Sequence, residues 1–300
     1  MDNIFKRTSA HWVRYDKYEW KESTDGVLYL TPAKEAVMSL YNPIKEYEEL
    51  VLTALGIGLD VMQKKASMEE LKQRIQSFAQ RFGLLGLMTA LPTTPEFITY
   101  DAVYLPKNHF IKQETLSTED YLAYFFPFDG ISFRKNGQES VWNSDNREML
   151  AVIMAMQDKP QAVLMSFQKE YAESYEWITT VFSDWAFTFV TSFLYYQDYD
   201  ALEEAERNVY RKGMECFGGI APTYHIELLD KPTIVWDFHS LMLAIQMVFS
   251  FMITDENSTL KLCKHCGKIF VASRSNVQFC SPQCKNQHNV YKCRAKKDEE

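Results

Sequence analysis

The stretch Cys263-Lys-His-Cys266-Gly267, followed by Cys280-Ser-Pro-Gln-Cys284, decides how the C-terminal part of this chain can fold. Thirteen residues separate Cys266 from Cys280, so the pattern is C-x2-C, a gap, and C-x3-C. Four thiolates in two close pairs can surround one tetrahedral Zn²⁺. Since four of the six cysteines lie in this window, we predict one structural zinc ion bound by Cys263, Cys266, Cys280 and Cys284.

Each cysteine pair lies in a sequence that predicts a definite backbone. Gly267 follows the first pair, where the chain must fold back under the metal without a Cβ, and Lys268–Ala272 predict a short strand. At the second pair, Ser281 suits a helix N-cap and Pro282 the first helical position. Cys284 would then lie in the first helical turn. A turn, strands and a helix that supplies two ligands is the treble-clef pattern.

Other ligands and disulfide bonds are the alternatives at these cysteines. His288 lies one helical turn past Cys284 and is a candidate substitute ligand, whereas Cys293 lies too far along the helix for the same metal. The chain begins Met-Asp-Asn-Ile-Phe-Lys-Arg, without an apolar secretory segment. We therefore expect a cytoplasmic location, where reducing conditions disfavour disulfides.

The segment Leu262–Arg294 resembles the CGNR-type zinc finger, which in bacteria follows an ABATE-like helical domain in stress-related transcription regulators. The resemblance lies in the cysteines, in aromatic positions and in the region after the last ligand: Cys263, Cys266, Phe270, Phe279-Cys280-Ser281, Cys284, Asn286 and Tyr291–Arg294. The name-giving motif reads Cys284-Lys285-Asn286-Gln287 here, without its Gly and Arg. If that Arg contacts nucleic acid in the family, the contact must come here from Lys285 or from elsewhere.

The net charge of −8 is the sum of an acidic N-terminal part and a basic C-terminal segment. Residues 261–297 contain nine Lys or Arg and no Asp or Glu, whereas residues 1–260 contain 23 Lys or Arg against 37 Asp or Glu. Zinc with four thiolates carries a charge of about −2, so the finger stays positive. This division favours a polyanion partner, and the resemblance favours DNA over RNA. The alternative is a basic tail docked on its own acidic domain.

The helix after Pro282 carries the side chains that would contact nucleic acid. Lys and Arg neutralise phosphates, and Asn and Arg read base edges. The candidates are Lys285, Asn286, Asn289, Lys292, Arg294 and Lys296. The sequence thus predicts a zinc-dependent nucleic-acid-binding protein, and the resemblance implies a bacterial transcription regulator. The alternative is a structural or protein-interaction protein whose zinc lobe docks on its own acidic domain or on another protein.

The sequence contains no pattern that is typical of a catalytic site or of a membrane-spanning helix. The chain has no phosphate-binding glycine motif, nucleophile elbow or HExxH. A zinc ion held by four thiolates has no open position for water. No apolar run reaches the roughly 18 residues that a membrane span needs. We therefore expect neither an enzyme nor a membrane protein.

Upstream of the finger, spacing and capping signals predict a mostly helical body. The predicted elements are a strand at Val27–Leu30, a helix from near Pro32-Ala33, helices at Lys45–Lys65, after the N-cap Ser67, at Gln161–Tyr195 with one break, and at Leu241–Thr254 with Asp237 or Ser240 as its cap, and a hairpin from Tyr224 to Trp236. The aromatic residues Tyr175, Phe182 and Trp185 recur at helical spacing and predict core, the alternative being a ligand pocket.

The fold class predicted from these elements is mainly α with small β hairpins, that is, α+β. Residues 1–257 would form a mostly helical acidic domain that senses a signal, forms a homodimer or binds a protein partner. Residues 258–300 would form the basic four-cysteine, treble-clef-like zinc finger.

Overall fold

The computed structural model describes residues 8–23, 26–88, 102–104, 113–117, 120–121, 172–197, 199, 202–215, 222–238, 240–254, 259–272, 274 and 276–298. The α-helices in these ranges are α1 (Tyr47–Met62), α2 (Met68–Phe82), α3 (Tyr175–Gln197), α4 (Glu204–Glu215), α5 (Leu241–Thr254) and α6 (Pro282–Asp298), and a 3-10 helix, Pro43–Glu46, precedes α1. The strands are β1 (Thr8–Ala10), β2 (Trp12–Tyr15), β3 (Tyr18–Glu22), β4 (Leu28–Pro32), β5 (Met38–Tyr41), β6 (Ala102–Tyr104), β7 (Thr115–Ser117), β8 (Glu173–Ser174), β9 (Thr223–Leu228), β10 (Pro232–Asp237), β11 (Thr259–Leu262) and β12 (Ile269–Ala272).

The described strands form several small sheets rather than one large one. Their orders are β1-β10-β9, β2-β5, β3-β4-β8, β6-β7 and β11-β12. Within these sheets only β1 and β10 run parallel. Helices together with small sheets confirm the α+β class predicted from the sequence. None of the described helices is both long enough and apolar enough to cross a membrane.

The helix starts follow the capping residues closely. The Ser67 hydroxyl accepts a hydrogen bond from the Glu70 backbone N–H at 3.3 Å, and the Glu70 carboxylate accepts one from the Ser67 N–H at 2.8 Å. This reciprocal capping box fixes the start of α2. The Ser240 hydroxyl accepts from the Leu243 N–H at 3.0 Å and caps α5. The bounds of the elements confirm the predicted helices α1, α2 and α5 and the predicted hairpin β9–β10.

The helices enclose an aromatic and aliphatic core in which α1 and α3 lie close together. The Phe182 ring of α3 is fully buried and packs edge-on against Phe78 of α2, with ring centroids 5.4 Å apart. Trp185 packs edge-on against Phe249 of α5 at 5.8 Å. Phe182 and Trp185 are thus core residues, as predicted. Gly58 of α1 faces the backbone of α3 at Phe182, and this contact leaves no room for a side chain.

A buried carboxylate holds the loop that follows α2. Glu173 of β8 is fully buried, and its two carboxylate oxygens accept hydrogen bonds from the backbone N–H groups of Leu85 and Leu87 at 2.9 and 3.0 Å. The loop carries two glycines with positive φ, Gly83 at 87° and Gly86 at 67°. The carboxylate satisfies backbone donors that this irregular segment cannot pair in a helix or sheet.

Glu173→Gln is expected to destabilise the protein by about 2 kcal/mol, because an amide NH2 replaces one acceptor and faces a buried N–H donor. Urea unfolding followed by circular dichroism measures the change in unfolding free energy. Glu176→Gln, on the exposed first turn of α3, is the matched control and should change it much less. Equal effects of the two substitutions would contradict this role for Glu173.

One predicted helix start is wrong. The chain does not turn helical near Pro32-Ala33: β4 continues to Pro32, and β5 then pairs with β2. Pairing with β2 buries Trp12 and Tyr15, and this tertiary gain outweighs the helix propensity of the Ala-Lys-Glu-Ala segment. The segment Gln161–Tyr195, predicted as helical with one break, is helical from Tyr175 onward, and residues 173–174 before it pair with β4. Residues 161–171 lie outside the described ranges.

The hairpin β11–β12 packs against the helical body. Strand β11 contacts α5, and β12 contacts α1. Leu260 of β11 is 2% exposed and belongs to the same apolar cluster as the core residues of α1 and α5, and Ile269 and Val271 of β12 pack against that cluster. The apolar side of the hairpin therefore completes the core, and its turn projects the first cysteine pair.

Candidate metal centre

The first cysteine pair lies at the turn of the hairpin β11–β12. The Cys263 N–H donates to the Lys268 carbonyl at 2.8 Å, and the Gly267 N–H donates to the Cys263 carbonyl at 2.9 Å. Gly267 has a φ of 70°, and the space where a Cβ would lie is open. Backbone conformation, rather than a close neighbour, therefore requires glycine here, as the sequence predicted.

The second pair lies at the start of α6, as the Ser281-Pro282 dipeptide predicts. The Ser281 hydroxyl accepts from the Cys284 N–H at 3.2 Å, and α6 begins at Pro282. Cys284 lies in the first turn. A hydrogen bond of 3.1 Å from the Lys264 N–H to the Gln278 carbonyl ties the hairpin turn to the segment before α6. The two pairs are thus brought face to face by backbone hydrogen bonds.

The four sulfur atoms are spaced as a tetrahedral metal requires. All four lie within 4.8 Å of one another. Cys266 Sγ is 3.7 Å from Cys280 Sγ, which is 3.5 Å from Cys284 Sγ. Sulfur atoms about 2.3 Å from a central zinc form a tetrahedron with edges of about 3.8 Å. A disulfide would need about 2.05 Å, and Cys263, Cys266, Cys280 and Cys284 are all free thiols.

The environment of the thiols differs along the cluster. Cys263 is 2% exposed, and this burial raises its pKa, but the backbone N–H groups of Cys266, Cys280 and His265 donate to its sulfur and bring the pKa down to about 6. Burial raises the pKa of Cys266, and burial together with the neighbouring thiols raises the pKa of Cys280 to about 12. Four sulfurs this close cannot all be anionic without a cation among them, because like charges repel. The donor set therefore suits one divalent soft cation such as Zn²⁺.

An aromatic cluster joins the hairpin turn to α6. The His265 ring stacks on Tyr291, with centroids 5.7 Å apart, and its Nε2 lies 3.0 Å from Gln287 Oε1. His288 packs against Phe279 at 5.1 Å. Among the described residues, the group able to hold a metal contains the four cysteines and not His288. The i, i+4, i+7 spacing of Cys284, His288 and Tyr291 places all three on one helix face. This spacing is the sequence signal that His288 and Tyr291 face the hairpin turn, as Cys284 does.

Several basic and amide side chains of α6 are exposed in its described part. The side chains predicted to contact nucleic acid that are exposed here are Lys285, Asn286, Asn289, Lys292 and Arg294. The side chain of Lys296 lies outside the described part of the structure. The sequence of α6 contains no acidic residue before Asp298. Lys285, Asn289 and Lys292 follow an i, i+4, i+7 spacing and share one face, adjacent to the face turned towards the hairpin.

Comparisons with protein-family models, with curated proteins and with solved structures found no match for this chain. The resemblance of Leu262–Arg294 to the CGNR-type zinc finger therefore stays a prediction that rests on the residues themselves.

Proposed function

We propose that this protein is a zinc-dependent nucleic-acid-binding protein and that α6 is the element that contacts the nucleic acid. The observation that carries the proposal is the position of α6. Its first turn carries Cys284 of the four-cysteine cluster, and after Cys284 the helix exposes Lys285, Lys292 and Arg294. A helix anchored at one end by a metal and basic along its free surface is suited to a phosphate backbone.

The arrangement of the finger supports a treble-clef architecture with one structural zinc. The first cysteine pair lies at a hairpin turn, and the second lies at a helix start. Four thiolates would complete the zinc coordination shell, so the ion would hold α6 against β11–β12 and would supply no catalytic water. The resemblance to the CGNR-type finger adds the expectation of a bacterial transcription regulator. Its helical body would then sense a signal or bind a partner.

Residue roles on α6 follow from charge and hydrogen-bonding capacity. Lys285 and Lys292 lie two turns apart on one face and would neutralise phosphates along one strand. Asn289 lies between them, and Asn286 lies next to Lys285. Their amides both donate and accept, which suits base edges. Lysines would thus supply affinity, and asparagines would supply sequence preference.

Binding is expected to weaken steeply with salt. About half of the nine basic residues of the finger can face one backbone, so log K should fall against log salt with a slope of roughly −3 to −5 on duplex DNA. Lys285→Ala and Lys292→Ala should each flatten this slope by about one. Fluorescence anisotropy with the full-length, zinc-loaded protein at several salt concentrations measures it.

Matched control substitutions distinguish binding through α6 from non-specific electrostatic attraction to the rest of the protein surface. Lys65→Ala removes an exposed cation after α1 and should leave the slope unchanged. Asn289→Ala should alter the ranking of DNA sequences more than the slope. Single-stranded and duplex RNA probes in the same assay compare the two nucleic acids. Absence of binding to DNA and RNA at low salt would overturn the proposal.

The packing of the hairpin supports a second candidate function. Leu260 is 2% exposed within the body core, and β12 contacts α1. A zinc lobe docked in this way stabilises its own domain whether or not it binds nucleic acid. A folded, zinc-loaded protein that binds no nucleic acid would favour this structural or protein-interaction role.

A further inference from the structure

The hairpin β9–β10 presents an apolar face to solvent. In β9, Tyr224, Ile226 and Leu228 alternate along one face and are 62%, 70% and 79% exposed. Ile234 of β10 lies opposite Ile226 and is 41% exposed. The other face of β9, with His225 and Glu227, is the less exposed one. The usual order, apolar inside and polar outside, is reversed on this strand, which indicates that the apolar face meets a partner.

The free edge of β9 also lacks the features that prevent strand pairing. In the sheet order β1-β10-β9, the described residues place β9 at the edge. All six of its residues are in unbroken register with β10, and the strand contains no Lys, Pro or bulge. Such residues and irregularities normally protect an exposed edge from pairing with another chain.

The sequence of β9 is complementary to itself in one antiparallel register. With Ile226 on a two-fold axis, Ile226 faces the partner's Ile226, and Tyr224 faces the partner's Leu228. In the same register His225 faces the partner's Glu227, and Glu227 faces the partner's His225. We propose that this chain forms a homodimer through antiparallel pairing of β9 with β9 of a second copy, centred on Ile226. A two-fold axis makes such an interface use the same surface on both subunits.

Neighbouring registers are less favourable. Centring the pair on His225 would oppose two imidazoles, and centring it on Glu227 would oppose two carboxylates, which destabilises a strand pair. In the Ile226-centred register, an imidazole faces a carboxylate on each side of the two-fold axis. The His225 ring lies 3.0 Å from Asp237, and Glu227 lies 3.1 Å from His11, so both side chains are already held at the sheet surface. This proposal does not rest on nucleic-acid binding.

Sedimentation equilibrium of the full-length protein tests the dimer. The wild type should show a reversible monomer–dimer equilibrium, and Ile226→Lys, which places two like charges on the axis, should raise the dissociation constant at least about tenfold. Val209→Lys is the matched control, since Val209 on α4 is 74% exposed and should leave the equilibrium unchanged. Circular dichroism confirms that each variant is folded, and Ile226→Thr offers an uncharged variant that retains strand propensity.

Cross-linking tests the register. Ile226→Cys should form an intersubunit disulfide under mild oxidation of the zinc-loaded protein, because residues opposite each other lie about 5 Å apart at Cβ. Tyr224→Cys should not cross-link to itself but should cross-link to Leu228→Cys when the two variants are mixed. Peptide mass spectrometry identifies the linked positions. A wild-type protein that stays monomeric at all concentrations, or a dimer unaffected by Ile226→Lys, would overturn the proposal.

Discussion

Cys266→Ser is expected to abolish stoichiometric zinc binding and to unfold the segment from β11 through α6. Within the described residues, the contacts that join the two cysteine pairs without a metal are individually weak. They include the Lys264–Gln278 backbone hydrogen bond, the His265–Gln287 side-chain contact and the ring contacts of His265 and Phe279 with α6. Structural zinc supplies roughly 10–16 kcal/mol of binding free energy in finger peptides, far more than such contacts contribute. Loss of one ligand should therefore remove most of the free energy that holds this segment folded.

Metal analysis of the purified protein and limited proteolysis measure this effect. The variant should contain little zinc and should be cleaved between β12 and α6. Its melting temperature should also fall, because Leu260 of β11 contributes to the body core. Cys293→Ser is the matched control: it lies too far along the helix from Cys284 to share the metal, and zinc content should not change. Wild-type protein with neither zinc nor iron in stoichiometric amount would refute the metal site.

Gly58→Ala is expected to destabilise the protein by about 3 kcal/mol, near the upper end of the cost of overpacking a core. A Cβ at this position would lie 2.6 Å from the Ala186 Cβ and closer still to the backbone carbonyl of Phe182. Backbone atoms cannot rotate away as a side chain can, so α1 and α3 must separate. The separation would loosen the contact between Phe182 and Phe78 that lies beside it.

Gly56→Ala is the natural control for this prediction because it lies two residues away in the same helix. Its new Cβ would come within 3.3 Å only of the Arg74 Nη2, the end of a flexible side chain paired with Asp60. Alanine is favoured over glycine in a helix by about 0.8–1 kcal/mol, so this substitution should be neutral or stabilising. Chemical unfolding of both variants measures the difference. Equal effects would show that helix propensity, and not the contact with α3, decides the outcome.

The features that could be predicted from the sequence depend on residues close together along the chain. A capping serine and the N–H group it accepts from lie three residues apart, so the start of α2 was predictable from Ser67. For α5 the sequence left Asp237 and Ser240 as alternative caps, and the cap is Ser240. The cysteine spacing likewise identified the four sulfurs that the fold brings together. The role of Gly58, in contrast, could not be predicted, because nothing near it in the sequence indicates that α3 crosses there.

Long-range pairing explains the rest of what sequence analysis missed. Strand β1 at Thr8–Ala10 pairs with residues 234–236, and Glu173 binds N–H groups near residue 86. Short strands such as β1 and β5 have weak intrinsic preference and exist because distant partners complete them. No local pattern marks such partners, and a fully buried glutamate is unusual for its residue type.

The hairpin β11–β12 also determines when the body can finish folding during synthesis. Helix α1 leaves the ribosome about 200 residues before Leu260, which corresponds to roughly 10–40 s at 5–20 residues per second. Throughout that interval the core lacks the side chains of Leu260, Ile269 and Val271 that pack against it. We therefore expect this part of the body to finish packing only after β11 and β12 have emerged.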